Sequence, residues 1–97
     1  MSKAYWITFY HEIHNAQNLA DYGAIAGPAI AQAGGKFLAR GMPSAAKEGG
    51  KLERTVLIEF DSLEHALATY ASENYKLAVK ALGENSVVRD IRIIEGV

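Results

Sequence analysis

The chain has 97 residues, two prolines and no cysteine, with 49% hydrophobic and 22% charged side chains. That balance fits a single folded domain spanning residues 1–97 and excludes a disordered tail, which would lack the apolar surface to offset the entropy of ordering. Without cysteine there is no disulfide framework and no thiolate chemistry.

Ten basic residues stand against eleven acidic ones, for a net charge of -1. Binding to a phosphate backbone relies on clustered Lys and Arg, so nucleic acid is not an expected partner. No apolar run approaches the roughly 20 residues that span a bilayer, so no membrane partner is expected either. Neither terminus resembles a targeting signal, and the expected location is the cytoplasm of a bacterial cell.

In chain order, Ala4 to Tyr10 is rich in aromatic and β-branched residues and reads as a strand. Asn15 is suited to cap a helix whose face carries Leu19, Tyr22, Ala26, Ala29, Ile30 and Ala33. Pro28 should kink or restart that helix, and Gly34-Gly35 should end it. Lys36 to Gly41 reads as a second strand, and Pro43 to Lys51 as the turn of a long hairpin into a third strand, Arg54 to Phe60.

Asp61-Ser62 then offers a cap for a short helix with Leu63, Ala66, Leu67 and Tyr70 on its buried stripe. Ser72 caps another, with Tyr75, Ala78, Val79 and Leu82 inward and Gly83 as its stop. Val87 to Glu95 is the last strand. Strand, helix, strand, strand, helix pair, strand is the split βαβ order of a ferredoxin-like α+β fold with a four-stranded antiparallel sheet.

Alternate residues of a strand face opposite sides of the sheet. Tyr5, Ile7 and Phe9 therefore oppose Trp6, Thr8 and Tyr10, while Val56, Ile58 and Phe60 oppose Thr55, Leu57 and Glu59. In the second strand Phe37 and Ala39 oppose Leu38 and Arg40. The helices cover one face only, so the other is expected to present Trp6, Tyr10, Leu57 and Leu38 to water. Each such side chain is worth roughly 1.5–3 kcal/mol when buried. An apolar face of this kind points to a homodimer packed sheet against sheet.

Several stretches carry a family resemblance. They are Ala4-Tyr5-Trp6-Ile7, Tyr22 with Gly27-Pro28, the block from Gly34-Gly35 to Arg40-Gly41, Ile58-Glu59-Phe60 with Ser62-Leu63, Tyr70 with Ser72, Tyr75, and Ile94-Glu95-Gly96-Val97. Over essentially its whole length the chain resembles the bacterial domain of unknown function 1330 family. The resemblance implies the dimeric α+β barrel superfamily, in which two ferredoxin-like subunits pair their sheets, and it implies no particular activity. Relatives often carry an arginine near the end of the last short helix, where this chain has Leu82-Gly83.

The strongest polar grouping expected from strand facing is Arg40 with Glu59, flanked by Thr8 and Tyr10. An arginine and a carboxylate inside an apolar barrel could orient a small anionic or carbonyl ligand, with Glu59 as base. The competing reading is an ion pair that satisfies its own charges and fixes dimer register. His11, Glu12 and His14 cluster at the end of the first strand, where an imidazole could act at the barrel mouth. His-x-x-His without a third ligand is a weak metal pattern, and no metal or other cofactor is expected. His65 is expected on the exposed side of its helix.

The candidate catalytic residues are thus Glu59, Arg40 and His11, and the candidate ligand-binding residues Thr8, Tyr10 and Tyr22. Tyr22, Tyr70 and Tyr75 are equally readable as core residues whose hydroxyls reach a partner. Gly34-Gly35 closes a helix instead of opening one and so is no phosphate loop. Two functions follow: a cofactor-free, enzyme-like site for a small molecule, or a non-catalytic metabolite-binding or protein-interaction module.

Overall fold

A computed structural model describes residues 2–97. Its elements run β1 (Ala4–Ile13), α1 (Ala16–Gln32), β2 (Lys36–Gly41), β3 (Thr55–Phe60), α2 (Leu63–Tyr70), α3 (Glu73–Leu82) and β4 (Val87–Glu95). The strands form one antiparallel sheet in the order β2-β3-β1-β4. This is the ferredoxin-like α+β arrangement expected from the sequence.

The helix boundaries follow from local chemistry. The side chain of Asn15 accepts a hydrogen bond from the Asn18 N–H at 2.9 Å, and Ser62 and Ser72 do the same for His65 and Tyr75. Each cap satisfies a backbone donor that the first helical turn would otherwise leave free. Pro28 does not interrupt α1, which stays continuous around it. The proline lies on the exposed side, where water can take the carbonyl it frees, and glycine at position 27 removes the Cβ that a following proline ring would crowd.

The helices cover one side of the sheet, and the core sits beneath them. Ala4, Trp6, Thr8 and Tyr10 of β1 and Val56, Ile58 and Phe60 of β3 are buried there. Trp6 and Tyr10 are therefore core residues, contrary to the expectation that they face water with Leu57. The register explains it, because Trp6 pairs with Ile58 and Ile7 with Leu57. The helices present small residues to these rings: Ala26, Ala66 and Ala78 are almost wholly buried. Small helical side chains leave the room that a tryptophan and three tyrosines need. Trp6 meets Tyr75 edge-on at 5.0 Å, and the ring of Tyr75 meets that of Tyr22 at 6.0 Å.

The predicted helical stripes are only partly buried. Leu67, Tyr70 and Val79 are exposed, and Thr69 takes an inward place on α2. His65 is not on a solvent face. Its ring packs against Phe60, and its Nε2 contacts the Ala33 carbonyl at the end of α1. No helix among the described residues is long and apolar enough to cross a membrane.

Candidate functional site

The open face of the sheet carries Tyr5, Ile7 and Phe9 of β1, Thr55, Leu57 and Glu59 of β3, and Ile94, Arg92 and Asp90 of β4. Leu38, on β2, and Ile94 are 44% and 57% exposed. The face is thus apolar along its middle, as expected, with Leu57 and Leu38 in their expected places and Tyr5, Ile7 and Phe9 standing where Trp6 and Tyr10 were expected.

Arg40 does not join Glu59 on that face. A bulge at Leu38 inserts an unpaired residue into β2, so that Phe37 pairs with Ile58 and Arg40 with Val56. An extra residue resets the alternation of every side chain after it. Arg40 therefore lies on the helix side, stacked on Phe37 at 4.5 Å. Glu59 stays on the open face, where Tyr5 donates to it at 3.3 Å and Lys3 approaches to 3.8 Å. The predicted Arg40–Glu59 pair, whether catalytic or structural, does not form.

What the structure does bring together is Arg40, Thr8, Tyr10 and Tyr22. All four line a cleft of about 310 Å³ between α1 and the β2–β3 side of the sheet. Trp6, Val56 and Ile58 contribute apolar wall, and Arg54 adds a second guanidinium. The cleft exists because α1 presents Ala16, Ala20, Gly23 and Gly27 to it. These lie at intervals of four, three and four, which is one face of a helix. A Cβ added at Gly23 or Gly27 would meet nothing within 4 Å. No Asp, Glu or His lines the cleft, and neither Arg40 nor Arg54 has an ion-pair partner among the described residues.

Behind the Tyr10 and Tyr22 wall lies a residue that the sequence did not single out. Arg89 of β4 donates to the Tyr10 hydroxyl at 3.1 Å and to the Tyr75 hydroxyl at 3.4 Å, and its guanidinium lies 4.7 Å over the Tyr22 ring. The hydroxyls of Tyr22 and Tyr75 share a 2.7 Å hydrogen bond that ties α1 to α3. Burial pushes the phenols of Tyr10 and Tyr75 up from their ordinary range, against the opposing pull of Arg89. The phenols of Tyr10 and Tyr75, to which Arg89 donates, are therefore neutral near neutral pH, and Arg89 brings an unneutralised positive charge. Its only sequence signal is an arginine in a strand at a position facing the helices, which becomes visible once the register with Tyr10 is known.

His11 sits apart from these groups. Its Nε2 lies 2.7 Å from the Asp90 carboxylate, whose other oxygen accepts from Arg92 at 3.0 Å. His11, Asp90 and Arg92, with Gly49, Gly50 and Lys51 of the β2–β3 connection, border a recess of about 210 Å³. The hydrogen bond from His11 outweighs partial burial and holds the Asp90 carboxyl below its usual range. His14 turns elsewhere, to Glu12 at 2.7 Å and the Asn85 carbonyl at 3.2 Å. No group of three or more potential metal ligands gathers among the described residues.

A family model described as a domain of unknown function, DUF1330, matches residues 3–97. Among curated proteins, none matches the sequence. Among solved structures, the chain is similar to a protein of unknown function from Rhodopseudomonas palustris, at 15% identity and a TM-score of 0.74, covering 99% of this chain and 83% of that one. It is also similar to a dimeric ferredoxin-like protein of unknown function from Bacteroides fragilis, at 15% identity and a TM-score of 0.57, over 97% and 96% of the two chains. An uncharacterized NIPSNAP-like domain protein from Burkholderia xenovorans matches at 16% identity and a TM-score of 0.60, over 98% and 85%. At these identities the likeness establishes the fold and leaves the chemistry to the site itself.

Proposed function

The chain belongs to the DUF1330 family, and from that premise and its own geometry we propose that it binds a small anionic metabolite with an apolar body in the cleft beneath α1. Arg40, Arg54, Thr8, Tyr10 and Tyr22 are the polar groups of this site. The observation that carries the reading is an apolar cleft with two arginines and no acidic residue in its lining. Arginine offers planar, bidentate recognition of a carboxylate, and small residues on one helix leave the volume for its apolar part.

In this reading residues 1–97 form one ferredoxin-like domain of a cytoplasmic homodimer. The apolar open face meets its copy to build an α+β barrel; the Bacteroides fragilis protein of the same fold is described as dimeric. Neither a nucleic acid nor a membrane is a partner, and no cofactor is required. The cleft holds no carboxylate or imidazole to serve as a base, which favours a binding module over an enzyme. A catalytic reading rests on other ground. His11, oriented by Asp90 and in turn by Arg92, has the layout of a general base beside a recess, which the partner sheet would cover.

A thermal-shift screen of small carboxylates and their amides tests the binding reading. Carboxylates should stabilise the wild type, and Arg40→Gln or a cleft-filling Gly23→Leu should clearly reduce the shift. Equal shifts in all three proteins would overturn it. Turnover lost in His11→Asn but retained in Gly23→Leu would favour the catalytic reading.

A further inference from the structure

We infer that Arg89 forms a second anion site, separate from the cleft, for a carboxylate carried on a flat or branched apolar group. Arg89 lines an open groove of about 480 Å³ together with Tyr70, Ile91 and Ile93. This groove and the cleft beneath α1 share no lining residue. They are distinct hollows on opposite sides of the tyrosines that hold Arg89.

A guanidinium stays charged at any physiological pH. Placing one partly out of water is costly unless an opposite charge meets it. Arg89 has hydrogen bonds only to phenols, which are neutral acceptors, and it makes no ion pair with any described carboxylate. The charge is nevertheless carefully placed: the rings of Tyr22 and Tyr10 lie under it and two hydroxyls fix its orientation. Such a group is preorganised for a counter-ion that the chain itself does not supply.

The rest of the groove defines what that counter-ion is attached to. Ile91 and Ile93 follow Arg89 at alternate positions of β4, so all three point to the same side of the sheet. They make an apolar floor running away from the charge. Tyr70, 47% exposed, supplies an aromatic wall whose inner edge packs on Trp6 and Tyr75. A carboxylate on Arg89 would lay an attached ring or branched chain along the isoleucines and against Tyr70. A phosphate ester or a sugar would leave that floor unused.

Benzoate is the probe, with benzamide as its uncharged counterpart, and methyl NMR of the full chain reports the place of binding. Benzoate should bind saturably, with an affinity of about millimolar order, and shift the methyl signals of Ile91 and Ile93. Benzamide should bind at least about tenfold more weakly, the difference expected of one charge-assisted contact. Arg89→Gln should remove the shifts. Ile91→Glu keeps Arg89 and brings a carboxylate into the groove from within the chain, and it should also exclude benzoate. Gly23→Leu, which fills the other hollow, should leave the Ile91 and Ile93 shifts intact. Shifts confined to Ile30 and Leu19 beneath α1, equal binding of benzamide, unchanged affinity in both Arg89→Gln and Ile91→Glu, or no saturable shift would each overturn the inference.

Discussion

The guanidinium of Arg40 lies 4.5 Å over the ring of Phe37, although three positions along a regular strand would put the two on opposite faces. The bulge at Leu38 makes the contact possible. It leaves Leu38 on the open side and turns Arg40 toward the helices, so one inserted residue decides which chemistry the arginine can reach. Stacking of this exposed arginine on the half-buried ring is worth only about 0.5–1 kcal/mol, but it holds the charge beside the cleft.

Two glycines near the cleft should respond in opposite ways to alanine. A Cβ at Gly23 meets open space, and exchanging a helical glycine for alanine gains about 0.5–1 kcal/mol. At Gly35 a Cβ would fall 2.5 Å from Ile30 Cγ2 and 2.9 Å from the Phe60 ring, both deep in the core. Gly35→Ala should cost about 1–3 kcal/mol by overpacking. Urea unfolding of the two variants checks the pair, and a Gly35→Ala protein as stable as wild type would contradict this packing.

Charge on the open face should separate a homodimer. Ile7 lies between Leu57 and Arg92 in the register of the sheet. Ile7→Lys would place an ammonium in the middle of the apolar contact without touching the core under the helices. Sedimentation at micromolar concentration should give a dimer for the wild type and a folded monomer for the variant. A wild-type monomer, or an unaltered dimer in Ile7→Lys, would mean that this face is not the interface.

The His14–Glu12 pair predicts a pH dependence of known sign. Hydrogen bonding to Glu12, and then to the Asn85 carbonyl, raises the His14 pKa above its ordinary 6.5; the His14 hydrogen bond likewise lowers that of Glu12. The stabilisation from His14 is fully present below its ordinary pKa and is lost as pH rises through the raised one. That from Glu12 is present above the ordinary carboxylate value and is lost as pH falls through the lowered one. Both groups are solvated, so the pair has little weight in global stability. In a histidine NMR titration the His14 midpoint should exceed 6.5 and return toward it in Glu12→Gln. An unchanged midpoint would show that the pair does not form in solution.

The five tyrosines should not ionise together. Tyr10 and Tyr75 are held above the ordinary phenol range, chiefly by burial. A spectrophotometric titration of the folded protein should leave their share of the absorbance change until the chain unfolds. Tyr75→Phe should remove the Tyr22 hydrogen bond and cost about 1 kcal/mol. Full tyrosine ionisation while the far-ultraviolet dichroism is still native would refute this account of the cluster.

The order of elements was legible because each boundary has a local chemical cause. Asn15, Ser62, Ser72 and Gly83 act within a few residues of where they stand. Facing was harder to read. Alternation correctly divides Trp6, Thr8 and Tyr10 from Tyr5, Ile7 and Phe9, but which set lies under the helices depends on the partner strand and on the size of helical residues. Thr8, Tyr10 and Tyr22 do share a hollow with Arg40, while Glu59 and His11 fall outside its lining. A bulge leaves no unambiguous mark in six residues of Lys-Phe-Leu-Ala-Arg-Gly, so the Arg40–Glu59 grouping could not be corrected from the sequence. Arg89 became interpretable only through its cross-strand neighbour Tyr10.

The stripe of Ala16, Ala20, Gly23 and Gly27 has a consequence for how such a protein changes over time. On the α1 side the hollow owes its room to these small residues, set beside Leu19, Tyr22 and Ile30, and not to an irregular backbone. Its capacity can therefore be altered one methyl or one branch at a time, at four positions of a single helix, with strand pairing left untouched. A lineage could exchange one small guest for another by such steps, keeping the arginines and the architecture as a fixed inheritance.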